Sequence, residues 1–454
     1  MFILAYIILL ILAIILLTFK MRTKRGIVST VFYITFVVYY IVVPLILQLI
    51  FYIAKGLTNS SAYLDIIQNS TTEEQTAAYI MTAGTLIVFY AFLNIRFKLS
   101  DKPINKNNES VYDEKALEKS VYTMGKIFLL IGGASLCMLF LELGGISSAL
   151  ALGSTIRGYR IDNAQYLSSL GAICKTLSVF VTGSFFCFYV SSKEHKRHLF
   201  YVTTSFILSV LYLVFESGRA AFLVFFGCLA FAFLKEHGKK VSWIVVVAFL
   251  GIFFTSSSLE VVLGNLALGR PLFSNLNYRM VDNVFATASD LAYPYANLLG
   301  VSKMVAMYGF RYCTDYITWI FTLLPERLFM SVGISIPSIT LVTTSVSKYY
   351  LDAGLTLGGT PVDFISYGYF QGSIIGIVVN CLVYTRILRW IDMTFDKISN
   401  QYTILKFRMC FFAYSLITSN DLSTVIPSNL FLLIIVIVIN RTTKKRRIKI
   451  ENEK

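Results

Sequence analysis

Charge is what this 454-residue chain has least of: 14% of its residues are Asp, Glu, Lys or Arg, against about 25% in an ordinary soluble domain. Three further absences bound its chemistry. No glycine loop of the Walker type occurs, so the chain carries no such ATP-binding element. No Asp-x-Asp occurs, which removes the usual signature of metal-dependent sugar transfer. All three histidines (His195, His198, His237) lie in short basic segments between apolar blocks. The seven cysteines offer no disulfide framework: six sit in apolar stretches, where Cys behaves as a small hydrophobe, and Cys313 stands apart from them.

What is present in quantity is apolar sequence. Hydrophobic residues make up 56% of the chain, including 37 Phe and 28 Tyr, and they fall in blocks long enough to cross the hydrocarbon core. The pattern predicts an all-α, polytopic membrane protein of about eleven transmembrane helices. The expected spans are Phe2–Phe19, Ile27–Ile53, Ala77–Ile95, Ile127–Leu143, Leu167–Val190, Leu199–Phe215, Ala220–Leu234, Val241–Leu259, Phe364–Thr385, Ile404–Ser419 and Leu422–Asn440. The first is read as a retained span and not a cleavable leader, because its basic residues follow it and none precede it.

The formal net charge of +15 would suggest a nucleic-acid partner if it formed a patch on a folded domain. It is instead split among segments 20–26, 96–126, 191–198, 235–240, 386–408 and 441–454, which hold 29 of the 40 Lys and Arg but only 11 of the 25 Asp and Glu. By the positive-inside rule these segments face the cytoplasm, placing the N-terminus outside and the C-terminus inside. No nucleic acid is expected as a partner. Three parts result: an N-terminal bundle of about eight spans (1–259), a large outer loop (260–363), and a C-terminal set of about three spans with a basic tail (364–454). Within the loop, Tyr293–Gly309 and Tyr316–Leu324 are apolar and aromatic, which predicts helices lying at or dipping into the interface.

Arginine is over-represented where the charge bias disfavours it. Seven of the eleven basic residues outside the cytoplasmic segments are Arg: Arg157, Arg160, Arg219, Arg270, Arg279, Arg311 and Arg327. The guanidinium fork suits bidentate binding of phosphate oxygens, so these residues are candidates for gripping a pyrophosphate, with Arg219 also able to stabilise a charged leaving group. The bland alternative, headgroup anchoring or pairing such as Glu216 with Arg219, remains open for each. Outer carboxylates that could activate a hydroxyl are Glu216, Asp282, Asp290, Asp315, Glu326, Asp352 and Asp363, of which Glu216, Asp315 and Asp363 are taken as the catalytic candidates. No metal site and no cofactor are expected.

Four stretches resemble the Wzy-type O-antigen (oligosaccharide repeat-unit) polymerases. They are Gly144-Gly145-Ile146 followed by Arg157 and Arg160, the FESGRA turn at 215–220, LPERL at 324–328, and Gly359–Gly376 with Gly368 and Gly372 among aromatics. The resemblance implies polymerisation of undecaprenyl pyrophosphate-linked oligosaccharides into O-antigen or capsule, at the outer face of the cytoplasmic (inner) membrane. Its partners would be membrane lipids, a flippase and a chain-length regulator. Two alternatives stand beside it. A lipid-linked oligosaccharide flippase or other transporter predicts charges spread through the spans and short loops on both sides, against the long outer loop and outer arginines here. An O-antigen ligase-like transferase shares the design and in that family relies on an outer-loop histidine absent here.

Overall fold

A computed structural model describes residues 2–22, 26–53, 62–94, 114–158, 167–191, 199–216, 219–237, 261–262, 265–266, 269–271, 273–274, 280–323, 341–352, 360–396, 398 and 402–452. Every regular element among them is helical. In chain order they are α1 (Phe2–Arg22), α2 (Ile27–Tyr52), α3 (Ala62–Gln68), α4 (Thr72–Asn94), α5 (Glu114–Glu142), α6 (Ile146–Gly158), α7 (Ser169–Ser191), α8 (Leu199–Glu216) and α9 (Arg219–His237). There follow α10 (Met280–Tyr308), α11 (Asp315–Thr318) with a 3-10 turn at Trp319–Leu323, α12 (Val342–Asp352), α13 (Phe364–Phe370), α14 (Ser373–Phe395), α15 (Thr403–Thr418) and α16 (Leu422–Asn452).

Eight of these are long and apolar enough to cross a membrane: α1, α2, α4, α5, α7, α8, α14 and the first two-thirds of α16. Their outward faces show why. In α1, Tyr6, Leu9 and Ala13 point into the bundle, at helical spacing, while Leu4, Ile7, Ile8, Ile11, Ile14 and Ile15 are exposed. A helix apolar on both faces is stable only with lipid on the outside. The expected span at Ala220–Leu234 appears as a shorter apolar helix, Ala221–Leu234 within α9, and Val241–Leu259 lies outside the described residues. The helix α15 has 16 residues, about 24 Å at 1.5 Å per residue, short of a core of about 30 Å.

Close helix contacts hold the bundle. A Cβ on Gly132 of α5 would lie 2.6 Å from the backbone nitrogen of Val181 in α7, so the two spans meet where only glycine fits. In α2 the helix widens into a π turn at Val38–Val42, the Val43 N–H reaching back to the Val38 carbonyl. Pro44 follows directly, and its missing N–H leaves the Tyr40 carbonyl without the usual donor.

The ninth expected span, Phe364–Thr385, is not one helix. It breaks at Gln371–Gly372, where Gly372 has φ 151° and Ser373 φ 58°, and α13 folds back against α14 with Gly368 pressed on Gly376. Depth can be read along the helices. Near the end of α14, Asp392 accepts N–H bonds from Val28 and Ser29 (3.0 Å each), tying it to the start of α2. Twelve residues up α2 lies Tyr40, and twelve residues back along α14 lies Asn380. Tyr40 donates to Asp363, and Asn380 donates to the Phe364 carbonyl at 2.9 Å. The N-terminus of α13 therefore sits about 18 Å from that tie, just past the middle of the bundle. The turn between α15 and α16 reaches the same depth, because the Asn420 N–H donates to the Val362 carbonyl at 2.6 Å.

The helix α10 also penetrates further than an interfacial helix would. Tyr293 donates to the Thr418 carbonyl beside that turn. Ten residues on, Lys303 pairs with Glu74 in the first turn of α4 at 2.6 Å. From Ala292 to Val305 most of its residues are buried, with Asn297 hydrogen-bonded to the Pro361 carbonyl and to Tyr350.

Candidate functional site

The inserted segments gather a cluster of polar side chains at the end of the bundle remote from Asp392. One side of it is the turn after α10. Gly309 has φ 78°, and Tyr312 and Cys313 also hold positive φ (50° and 62°), which bends residues 311–313 alongside the end of α13. The Arg311 N–H donates to the Phe370 carbonyl (2.8 Å) and the Cys313 N–H to the Gln371 carbonyl (3.0 Å). Two backbone bonds thus fix Arg311 and Asp315 beside Gln371.

Asp315 is half-buried and accepts a 2.7 Å bond from Gln371 Nε2. Burial raises its carboxyl above the ordinary Asp range; the Gln371 bond and the Arg311 charge oppose this, and Asp421 adds to it. Arg311, also half-buried, donates from Nη2 to Ser345 Oγ at 3.0 Å, while its Nε is buried with no partner. Tyr316 donates to Asn380 Oδ1 at 2.8 Å and meets the Tyr367 ring edge-on, centroids 6.0 Å apart.

Other members of the cluster are more fully buried. Tyr367 and Gln371 are one turn apart on α13, 0% and 1% exposed, yet Tyr367 Oη and Gln371 Oε1 have no hydrogen-bond partner. Beneath them Tyr384 donates to Asn420 Oδ1 at 2.5 Å. Asp421 is saturated: it caps α16 through the Ser423 N–H (3.1 Å) and hydroxyl (2.6 Å), and accepts from the Thr343 N–H (3.0 Å) and hydroxyl (2.8 Å) at the start of α12. Leaving a buried donor or acceptor unmet costs about 1–3 kcal/mol. Arg311 Nε, Gln371 Oε1 and Tyr367 Oη are such atoms, as are Asp363 Oδ2 and Ser366 Oγ on the same stretch of chain.

Among the expected site residues, the structure brings Arg311 and Asp315 together. Asp363 lies deeper: it is 0% exposed and caps α13, its Oδ1 accepting from the Ile365 and Ser366 N–H groups (3.1 Å each) and from Tyr40 Oη (2.5 Å), while its Oδ2 is buried with no partner. A second grouping involves α6. A Cβ on Gly153 would collide with the Phe215 carbonyl at the end of α8. The backbone one turn before Arg157 therefore touches the end of α8, where Glu216 is half-buried and α9 opens with Arg219. The side chains of Arg157 and Arg219 lie outside the described residues, as do Arg160, Arg279 and Arg327 entirely. Arg270 is exposed in a turn, its N–H donating to the Asn265 carbonyl at 2.9 Å.

Sequence reasoning missed Gln371, Tyr367, Ser345 and Asp421. Gln371 and Tyr367 are neutral or aromatic residues inside an apolar run and read as core, and Asp421 lies between two expected spans; the available signal was Asp363 preceding glycines at 368, 372 and 376, which marks a capped, tightly packed turn of helix instead of a plain span. In comparison with protein-family models, curated proteins and solved structures, the chain finds no match in any of the three.

Proposed function

We propose that this chain is a membrane glycosyltransferase that joins lipid-linked oligosaccharide repeat units into a surface polysaccharide, working at the outer face of the cytoplasmic membrane. The observation that carries this reading is Asp315. A half-exposed carboxylate, raised above its ordinary range by burial and bonded to Gln371, stands near the Arg311 charge in a polar cluster at one end of an apolar bundle. That is the equipment for taking a proton from a hydroxyl next to a membrane-anchored substrate. The acceptor oxygen attacks the anomeric carbon of the donor glycan, the bond from that carbon to the pyrophosphate oxygen breaks, and the proton passes to Asp315. Undecaprenyl pyrophosphate departs with the electron pair. Arg157, Arg160, Arg219, Arg270, Arg279 and Arg327 are the residues that would hold the pyrophosphate and neutralise its gathering charge. The bond broken supplies the energy, in keeping with a sequence that carries no Walker loop.

One feature favours a second reading, a flippase for the same lipid-linked units. Broken helices meeting near the middle of a bundle, as α13 and α14 do, are how many transporters build their binding sites. Deleting the chain separates the two. Loss of the polymerase leaves single repeat units on the surface glycan. Loss of the flippase leaves none, with lipid-linked units retained on the cytoplasmic side; that result would overturn the proposal.

A further inference from the structure

We infer that Lys126, near the start of α5, seats the headgroup of an anionic phospholipid from the leaflet that the charge bias makes cytoplasmic. The inference stands apart from the glycosyltransferase reading. Lys126 is the last charge before fifteen residues, 127–141, that carry none, so it lies at the edge of the hydrocarbon. It is exposed, and among the described residues no carboxylate pairs with it. What holds it is aromatic. Its Nζ lies 4.6 Å from the centre of the Tyr122 ring, one turn back on α5, and 5.7 Å from that of Tyr201 in the first turn of α8. These two rings stand perpendicular, 6.0 Å apart. Phe188 of α7, buried, stacks on Tyr201 at 5.2 Å and meets Tyr122 edge-on at 5.6 Å. Three helices thus fix the rings before any ligand arrives.

A ring quadrupole steadies an ammonium without neutralising it. An oriented and uncompensated positive charge therefore faces the headgroup layer, and the rings have already removed rotamer freedom that a loose surface lysine would lose on binding. Deeper along the same face of α5 come Leu130, Ala134 and Cys137, all exposed. They extend about 17 Å from Lys126, one leaflet's share of a core about 30 Å thick. A charge at headgroup level with an apolar lane beneath it matches the two halves of a phospholipid. The class of lipid follows from the charges. A phosphate diester supplies the missing anion. In a zwitterionic lipid the headgroup's own ammonium competes for that phosphate, while the ring faces that could receive it are taken by Lys126. An anionic lipid brings no such cation.

The test uses the purified full chain in detergent, titrated with phosphatidylglycerol or with phosphatidylcholine of the same acyl chains, and bound lipids are counted by native mass spectrometry. Wild type should hold one phosphatidylglycerol more tightly than phosphatidylcholine. Lys126→Gln should weaken that lipid about three- to tenfold, the worth of one basic residue at an anionic surface, with the melting midpoint unchanged. Lys119→Gln removes the same charge from an exposed position two turns earlier on α5 and should leave the lipid in place. Glycerol phosphate, which has the anion and no chain, should not displace it. The inference is overturned if wild type shows no preference, if Lys126→Gln binds as wild type does, if Lys119→Gln loses as much, or if glycerol phosphate competes.

Discussion

Replacing Asp363 separates a structural carboxylate from a chemical one, and the structure gives the size of each effect. In the wild type its Oδ1 accepts from Tyr40 Oη, Ile365 N and Ser366 N. Asp363→Ala removes all three acceptor contacts. The Ile365 N–H keeps Tyr40 Oη at 3.2 Å, so two donors are orphaned, the Ser366 N–H and the Tyr40 hydroxyl. At about 1–3 kcal/mol for each orphan in a buried setting, the loss is about 2–6 kcal/mol. Asp363→Asn keeps an oxygen where Oδ1 stands, and Asn caps helices as well as Asp does, so it should cost about 1 kcal/mol or less. The assay is the melting midpoint of purified protein followed by size-exclusion fluorescence, paired with chain extension in cells at matched protein level. Alanine should melt far below wild type and asparagine close to it, with a normal glycan ladder. A stable asparagine variant that extends no chains would refute the reasoning, because a missing negative charge would then matter and a missing cap would not.

Other substitutions probe the remaining links. Asp315→Asn should lower chain extension by about 10²- to 10⁴-fold at unchanged melting midpoint, the usual worth of a general base; activity within tenfold of wild type would remove Asp315 from the mechanism. Since burial raises the Asp315 carboxyl, wild-type extension should fall on acidification with a midpoint above the ordinary Asp range. The same group works in the opposite sense on stability, binding its proton more tightly folded than unfolded and so favouring the fold as pH drops through the raised value; a rate flat down to pH 4 would contradict the assignment. Gly132→Leu forces a side chain into the backbone of Val181 and should abolish folded protein on size exclusion, whereas a normal elution profile would mean α5 and α7 do not meet there. Lysine at Arg157, Arg160, Arg219, Arg270 and Arg279 in turn should cut extension tens- to hundreds-fold in at least two, since one charge-assisted contact is worth about 1.5–3 kcal/mol; ladders of normal length from all five would leave headgroup anchoring as their role.

How much of this was legible in the sequence depends on what made each element. The spans α1, α4, α5, α7 and α8 follow from apolar runs alone, because lipid rewards apolar residues on every face and needs no partner to be known. The hairpin of α13 and α14 did not follow. Phe364–Thr385 is as apolar as a span, and what breaks it is a backbone turn at Gly372 and Ser373, set by packing of Gly368 on Gly376. The depth of α10 was hidden for the opposite reason. Asp282, Asp290 and Lys303 interrupt its apolar pattern, yet neighbouring spans bury the stretch that follows Leu291. Arg311 and Asp315 were visible as charges in a loop. Their partners Gln371 and Tyr367 were not, since an uncharged residue acquires meaning only when folding leaves its polar atom unmet. Asp363 shows the converse: a charge in sequence that folding turns into a helix cap.

The central claim, that the chain itself joins repeat units, is tested most directly by reconstitution. Purified protein in proteoliposomes is given undecaprenyl pyrophosphate-linked repeat units extracted from cells lacking the chain, in excess chelator, and the products are resolved by size. The account predicts a ladder of extended glycans from wild type, formed without Mg²⁺ or Mn²⁺, and single units from Asp315→Asn. Single units from wild-type protein, with or without added metal, would contradict it.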